Sequence, residues 1–151
     1  MSWLNHRTLV LHPDCESLRD FMLSVPERFD RGEGTVIHKG RNELRKMKYG
    51  EQEFVVKSFH RPNLINRFVY GIFRPSKAKR SYIHAGMFLE IGVGTPRPVG
   101  YINVRRGGLF DRSYYVTYVS PCPYTYEALF KQKFSYEDEV LSEVGRITGI
   151  L

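Results

Sequence analysis

Residues 53–59 read Glu53-Phe54-Val55-Val56-Lys57-Ser58-Phe59, a run in which aromatic and β-branched residues surround one lysine. Residues of these types favour β-strands. Two further runs of strand character precede it, over 35–39 and 43–49, and the turn residues Gly50-Glu51-Gln52 separate the last two runs. Connections this short predict an antiparallel meander of three strands.

A helix and two more strands follow the meander. The segment Arg74-Pro75-Ser76 is typical of a helix start, and apolar spacing predicts a helix over 77–90. Strands are predicted over 99–104 and 113–119, with a turn at 105–108 between them. The predicted fold class is α+β, with an antiparallel five-stranded sheet and one main helix.

The N-terminal residues predict a separate β-α segment. A short apolar run over 8–11 is typical of a strand. A helix is expected over 16–25, capped by Asp14 or Ser17. Pro26 is expected to end this helix, because the residue before a proline disfavours helical geometry.

Helical patterns also appear in the middle and at the C-terminal end, over 64–73, 125–133 and 136–148. The resulting division is a β-α extension (1–34), a central unit (35–120) and a C-terminal segment (121–151).

The composition indicates one globular domain. The chain has 151 residues, of which 42% are hydrophobic and 26% charged. No run approaches the ~20 consecutive apolar residues that a membrane-spanning helix needs. Cys15 and Cys122 are too few for a disulfide framework, so we expect a reduced, cytoplasmic chain.

The net charge of +7 comes from one segment. Residues 54–89 contain seven Lys and Arg residues and no Asp or Glu, which leaves 23 − 7 = 16 cations against 16 anions elsewhere. Such a segment attracts phosphates, anionic lipid headgroups or nucleic acid, or is a solvated basic face without a ligand. Charge is the only argument for nucleic acid, since no nucleic-acid-binding motif is present.

Two features of the meander suit a phosphate group. Lys57, near the end of the third strand, offers a fixed point charge, although most strand lysines point to solvent. The turn Lys39-Gly40-Arg41-Asn42 allows a close backbone approach and exposes N–H groups to an anion. It matches neither the P-loop nor the G-x-G-x-x-G pattern, and Gly and Asn are also common in ordinary hairpin turns.

Several stretches between residues 26 and 120 are similar to the bacterial lipopolysaccharide kinase family, the Kdo-kinase-like branch of the protein-kinase-like fold. The most distinctive are Ser76-Lys77-Ala78-Lys79-Arg80-Ser81-Tyr82 and Thr95-Pro96-Arg97-Pro98. The others lie in order at 26–29, 37–43, 55–59, 66–71, 94–101 and 113–116.

The resemblance implies a kinase small lobe that binds ATP and Mg²⁺ in a full-length relative, and we expect weak or absent binding by this chain alone. It implies phosphorylation of a sugar in Kdo-lipid A or core oligosaccharide, by a cytoplasmic protein that works at the inner membrane. Carried over by position, Lys57 is the lysine that contacts phosphate. The loop over the nucleotide is formed by Gly40, Arg41 and Asn42. The hinge, whose backbone meets the adenine, is formed by Tyr118, Val119 and Ser120.

The sequence departs from the family in two respects. Residues 77–89 contain no carboxylate to orient Lys57, which leaves Glu90 as the candidate partner. The catalytic and magnesium-binding motifs of the large lobe are missing. The last histidine is His84, so no H-x-D motif can follow the hinge, and Asp138 is the only aspartate after Asp111. We therefore expect no catalytic residue and no metal ligand in this chain, a truncated large lobe, and no phosphotransferase activity from these residues alone.

An alternative is a non-catalytic, pseudokinase-like module that binds anionic lipid or nucleic acid through the basic segment 57–80. Residues 64–70, next to Arg61 and Arg74, have the pattern of an interfacial helix, or of a lobe helix packed on the sheet. Self-association through the apolar surface that a large lobe would cover is a further expectation.

Overall fold

A computed structural model of the chain describes residues 6–60, 63, 74–121 and 137–150. Within them, a six-stranded antiparallel sheet carries helices on both faces. Its strands are β1 (Arg7–Leu11), β2 (Thr35–Lys39), β3 (Asn42–Tyr49), β4 (Gln52–Phe59), β5 (Pro98–Arg106) and β6 (Leu109–Tyr118), and the helices are α1 (Arg19–Asp30), α2 (Lys77–Glu90) and α3 (Glu137–Ile150). The strand order is β1-β5-β6-β4-β3-β2.

The α+β class and the antiparallel meander are confirmed, but the expected count of five strands is wrong. Strand β1 pairs antiparallel with β5 and becomes the sixth strand of the same sheet. Gly100 makes this pairing sterically feasible, because a Cβ there would lie 2.3 Å from the Val10 carbonyl oxygen. The architecture is compatible with a kinase-like small lobe, and the division at residues 34 and 120 stays a prediction.

The predicted caps of the first helix are wrong. A 3-10 helix over Pro13–Leu18 follows β1 and runs directly into α1, which has no side-chain cap. His12 caps the 3-10 helix instead, since its Nδ1 accepts a hydrogen bond from the Asp14 N–H at 3.4 Å. The early proline of Pro13–Leu18 starts a tighter turn and shifts the α-helix toward the C-terminus.

Pro26 does not end α1, which continues to Asp30. Proline lacks an N–H, so the helix loses one backbone hydrogen bond at Pro26. The Pro26 side chain is buried, however, and the additional turn places Phe29 in the core. There Phe29 packs against Tyr114, with ring centroids 5.5 Å apart. Burial of that side chain outweighs the local cost of the proline.

The sheet divides its side chains between two faces. The α1 face, which packs against α1, carries the main core, including Phe54, Val56 and Tyr114. The cleft face is the opposite side, on which a smaller cluster joins Phe59 and Tyr101 of the sheet to Ala78 of α2. Successive residues of β4 therefore point alternately into the main core and toward α2.

Helix α2 begins as predicted. The Ser76 side chain accepts a hydrogen bond from the Lys79 N–H at 3.1 Å, which is the geometry of an N-cap. Ala78 and Ala85 are buried, whereas Leu89 is 44% exposed and not part of the core.

The β5–β6 connection is tighter than predicted. Strand β5 extends into the expected turn, and β6 begins directly after that turn, earlier than predicted, so that only Gly107 and Gly108 lie between the two strands. Their φ angles of 60° and 76° suit a two-residue hairpin that glycine adopts without steric cost. In the C-terminal segment, α3 matches the helix predicted over 136–148. The helices predicted over 64–73 and 125–133 lie outside the described residues.

Candidate binding cleft

Strand register brings Lys57 into a row of side chains on the cleft face. Lys57 lies opposite Leu44 of β3 and opposite Tyr115 of β6. In the next row, Val55 lies opposite Thr117. Because Phe54 and Val56 point into the core, alternation directs Val55 and Lys57 to the other face.

A cleft of about 200 Å³ opens above these rows. Its walls combine apolar side chains from the sheet with the loop before β5 and the residues that follow β6. The lining residues are Leu44, Val55, Lys57, Thr95, Pro96, Tyr115, Thr117, Tyr118 and Ser120. A concave, largely apolar site with one ammonium group suits a ligand that is flat at one end and anionic at the other.

Lys57 is half-buried and has no acidic partner among the described residues. In the part of the chain that the structure describes, no carboxylate oxygen lies within 4.0 Å of its Nζ. Glu90 is exposed at the C-terminal end of α2 and forms no ion pair with Lys57. The ammonium lies over the Phe59 ring, whose centroid is 5.3 Å from Nζ. The positive charge therefore remains available to an anion.

The predicted hinge begins where β6 ends, and Tyr118 anchors it. The Tyr118 N–H donates to the Arg97 carbonyl oxygen at 3.0 Å. The Arg97 guanidinium lies over the tyrosine ring, with its central carbon 5.6 Å from the ring centroid. The Tyr118 hydroxyl lies 3.7 Å from Cys15 Sγ, and Phe54 packs against the ring. Burial, followed by the hydrogen bond with Cys15, raises the pKa of Tyr118. These contacts fix the direction in which the chain leaves the sheet.

The remaining hinge residues divide between the cleft and solvent. Ser120 lines the cleft, whereas Val119 is 40% exposed and does not. The structure thus brings Lys57, Tyr118 and Ser120 together at one cleft.

The loop assigned to cover a nucleotide stands outside the cleft lining. Gly40 and Arg41 form the exposed β2–β3 turn, in which the Gly40 N–H donates to the Asn42 carbonyl oxygen at 3.1 Å. The His38 imidazole packs over Gly40, where a Cβ would come within 3.0 Å of Nε2. The side-chain Oδ1 of Asn42 is buried and has no hydrogen-bond partner within the part of the chain that the structure describes. None of Gly40, Arg41 and Asn42 lines the cleft.

Tyr115 is a wall residue that sequence reasoning missed. Burial raises its pKa from 10.0 to about 12, and at physiological pH the phenol is neutral at either value. The signal was present in the sequence, since a regular antiparallel ladder places an aromatic from the fifth predicted strand beside Lys57. Choosing the residue required the strand order and the register, which β-propensity does not supply.

Several acidic residues of the described chain pair with arginines away from Lys57. Asp111 is buried, with nitrogens of Arg106 and Arg112 at 3.4 and 3.8 Å. In α3, Glu143 accepts a hydrogen bond from Arg146, which holds its pKa below the usual range. Among the described residues, no three metal-ligating side chains come together.

Two further properties bear on membranes and on the basic segment. None of the helices in the described ranges is long and apolar enough to cross a bilayer. Of the cations in 54–89, Lys57, Arg74, Lys77, Lys79 and Arg80 are described, whereas Arg61 and Arg67, together with the interfacial helix predicted over 64–70, lie outside the described residues.

Comparisons with known proteins give one structural likeness. No family model matches the sequence, and no curated protein matches it. A solved structure, described as WaaP in complex with acyl carrier protein, is similar with a TM-score of 0.47 and 16% sequence identity. The match covers 87% of this chain and 47% of that chain, so this chain spans about half the length of the protein it matches.

Proposed function

We propose that this chain is the nucleotide-binding lobe of an ATP-dependent kinase of the lipopolysaccharide kinase type. The observation that carries the proposal is the cleft in which Lys57 and the end of β6 face one ligand-sized space. In this arrangement Lys57 holds the phosphates of ATP, and the adenine lies toward Tyr118 and Ser120.

The chemistry of the walls supports this orientation of the nucleotide. Leu44 and Val55 offer an apolar surface to a flat base, and neutral Tyr115 adds no charge that would repel phosphate. An ammonium group on a strand serves as a point charge for phosphate oxygens. The described residues offer no cluster of ligands for Mg²⁺, so we assign the metal no protein ligand in this lobe.

The acceptor we propose is a sugar of Kdo-lipid A or core oligosaccharide at the inner membrane surface. This part rests on the sequence stretches similar to the family, such as 76–82 and 95–98. Phosphoryl transfer also needs a base and metal ligands that these 151 residues do not contain. We therefore expect the chain to bind ATP without transferring phosphate, and transfer to a Kdo-lipid A acceptor by the pure chain would overturn that expectation.

Calorimetric titration with ATP tests the nucleotide site. Because a hydrogen bond to a charged group is worth about 1.5–3 kcal/mol, Lys57→Ala should weaken binding roughly tenfold or more. Lys48→Ala is the matched control, since it removes the same charge from an exposed position on β3. It should leave the affinity nearly unchanged.

Two results would contradict the proposal. One is the absence of ATP binding to the unmodified chain, and the other is equal binding by Lys57→Ala. Binding that falls steeply with salt and ignores Lys57 would instead favour the alternative, a non-specific contact through the basic segment 57–80.

A further inference from the structure

Among the described residues, the Lys57 ammonium contacts an aromatic ring and pairs with no carboxylate. Lys57 and Phe59 lie two residues apart on β4, on the same face, with Nζ 5.3 Å from the ring centroid. This separation is within the ~6 Å over which a cation is attracted to a ring face. Phe59 is only 6% exposed and packs with Ala78 of α2 and Tyr101 of β5, so the ring is held in place.

A ring and a carboxylate orient a lysine in different ways. A carboxylate neutralises the ammonium. A phosphate must then compete with that carboxylate for the lysine N–H groups or share them with it. An aromatic ring attracts the cation through its quadrupole and carries no net charge. Lys57 is thus held in one direction while its full positive charge stays directed at the cleft.

We propose that Phe59 is the positioning residue of the cleft, which holds the Lys57 ammonium toward the nucleotide phosphates in place of an acidic side chain from α2. Helix α2 still influences the lysine, because Ala78 packs on the ring that orients it. The proposal rests on the nucleotide site proposed above, and it names the group that makes Lys57 effective there.

Nuclear magnetic resonance of dimethylated lysines tests the contact directly. The Lys57 methyl signal, identified by its absence in Lys57→Arg, should be displaced by the ring current of Phe59. In Phe59→Leu the signal should move to the position of solvent-exposed lysines, whereas Phe59→Tyr should retain the displacement. On unlabelled protein, Phe59→Leu should weaken ATP binding about two- to fivefold, the range expected from loss of a cation–π contact at a partly exposed site.

Tyr101→Leu is the matched control for loss of packing. Tyr101 belongs to the same cluster, is also 6% exposed, and lies two strands from Lys57. It should lower stability without moving the Lys57 signal. An equal loss of ATP affinity in Tyr101→Leu and Phe59→Leu would show a merely structural role for Phe59 and overturn the proposal.

The remaining outcomes separate this proposal from the proposed function. If ATP binds but the Lys57 signal is the same in Phe59→Leu as in the unmodified chain, the positioning role is wrong and the nucleotide site stands. If the signal moves as expected but no variant binds ATP, the contact is real, and the nucleotide function fails together with the role proposed for the contact.

Discussion

The two faces of the sheet contrast in how much they bury and in what they leave open. Among the described residues, the α1 face carries a cluster of 14 buried residues, and the cleft face carries one of three. Aromatic packing on the α1 face reinforces the difference. The ring centroids of Phe21 and Phe54 are 4.9 Å apart, and those of Phe29 and Tyr114 are 5.5 Å apart. The contrast indicates that one face stabilises the sheet, while the other can devote side chains to binding.

The cations of the two faces differ in the same way. The Arg45 guanidinium carbon on β3 lies 4.1 Å from the centroid of the Phe29 ring. The same guanidinium donates to the Phe29 carbonyl oxygen and pairs with the Glu43 carboxylate. Its charge is used to join the sheet to α1. Lys57, on the neighbouring strand and the opposite face, lies over the Phe59 ring and pairs with no carboxylate among the described residues. Arg45 is therefore paired with an acidic side chain, whereas the Lys57 ammonium lines the cleft.

The largest expected effect comes from adjacent residues of β4 that face opposite ways. Phe54→Ala should lower the free energy of unfolding by about 3–5 kcal/mol, because it opens a cavity in the main core. Val55→Ala should cost no more than about 1 kcal/mol, because its side chain lines the cleft and is already partly exposed. Urea denaturation of both variants measures the difference. Equal losses would mean that the cleft face contributes as much to stability as the α1 face.

A pair of glycines tests the attachment of β1 to this sheet. Gly100→Ala should destabilise the protein by roughly 1–3 kcal/mol, because its methyl group would overlap the Val10 carbonyl oxygen. Gly86→Ala, in α2, has no neighbouring atom within 4 Å of the new Cβ. It should stabilise the helix by about 0.5–1 kcal/mol. Thermal denaturation reports both signs, and a neutral Gly100→Ala would show that β1 is not held against β5.

Local sequence patterns predicted the elements of the sheet well. Runs of β-branched and aromatic residues located β2, β4, β5 and β6, an imperfect alternation located β3, and Ser76 identified the start of α2, because these signals depend on near neighbours. The errors came from long-range packing. Residues 8–11 were read as a separate extension, since nothing local shows that Gly100 leaves room for a sixth strand. Pro26 was read as a helix end, since the burial of Phe29 is a tertiary effect.

The site was predicted in part for the same reason. Lys57 could be found because a lysine in an apolar strand is a local signal. The glycine loop was expected over the ligand, but its position depends on the twist of the β2–β3 hairpin, which sequence does not specify. The contact between Lys57 and Phe59 could not be foreseen either, since a phenylalanine two residues after a lysine in a strand is ordinarily read as core.

The smallest expected effect is absent at neutral pH and appears only in alkaline solution. Burial raises the pKa of Tyr115 from an ordinary value of 10.0 to about 12. Below pH 10 the phenol is protonated in both the folded and the unfolded chain. As the pH rises from 10 to 12, the unfolded chain loses this proton first, so the contribution of Tyr115 to the free energy of unfolding should decrease and level off above the folded pKa. Denaturation at a series of alkaline pH values should therefore show a shallower decrease for Tyr115→Phe than for the unmodified chain, while Tyr49→Phe, on an exposed position of β3, should leave the decrease nearly unchanged. An ordinary tyrosine titration at position 115 would mean that the cleft face is more open than the structure shows, which would sharpen its contrast with the α1 face.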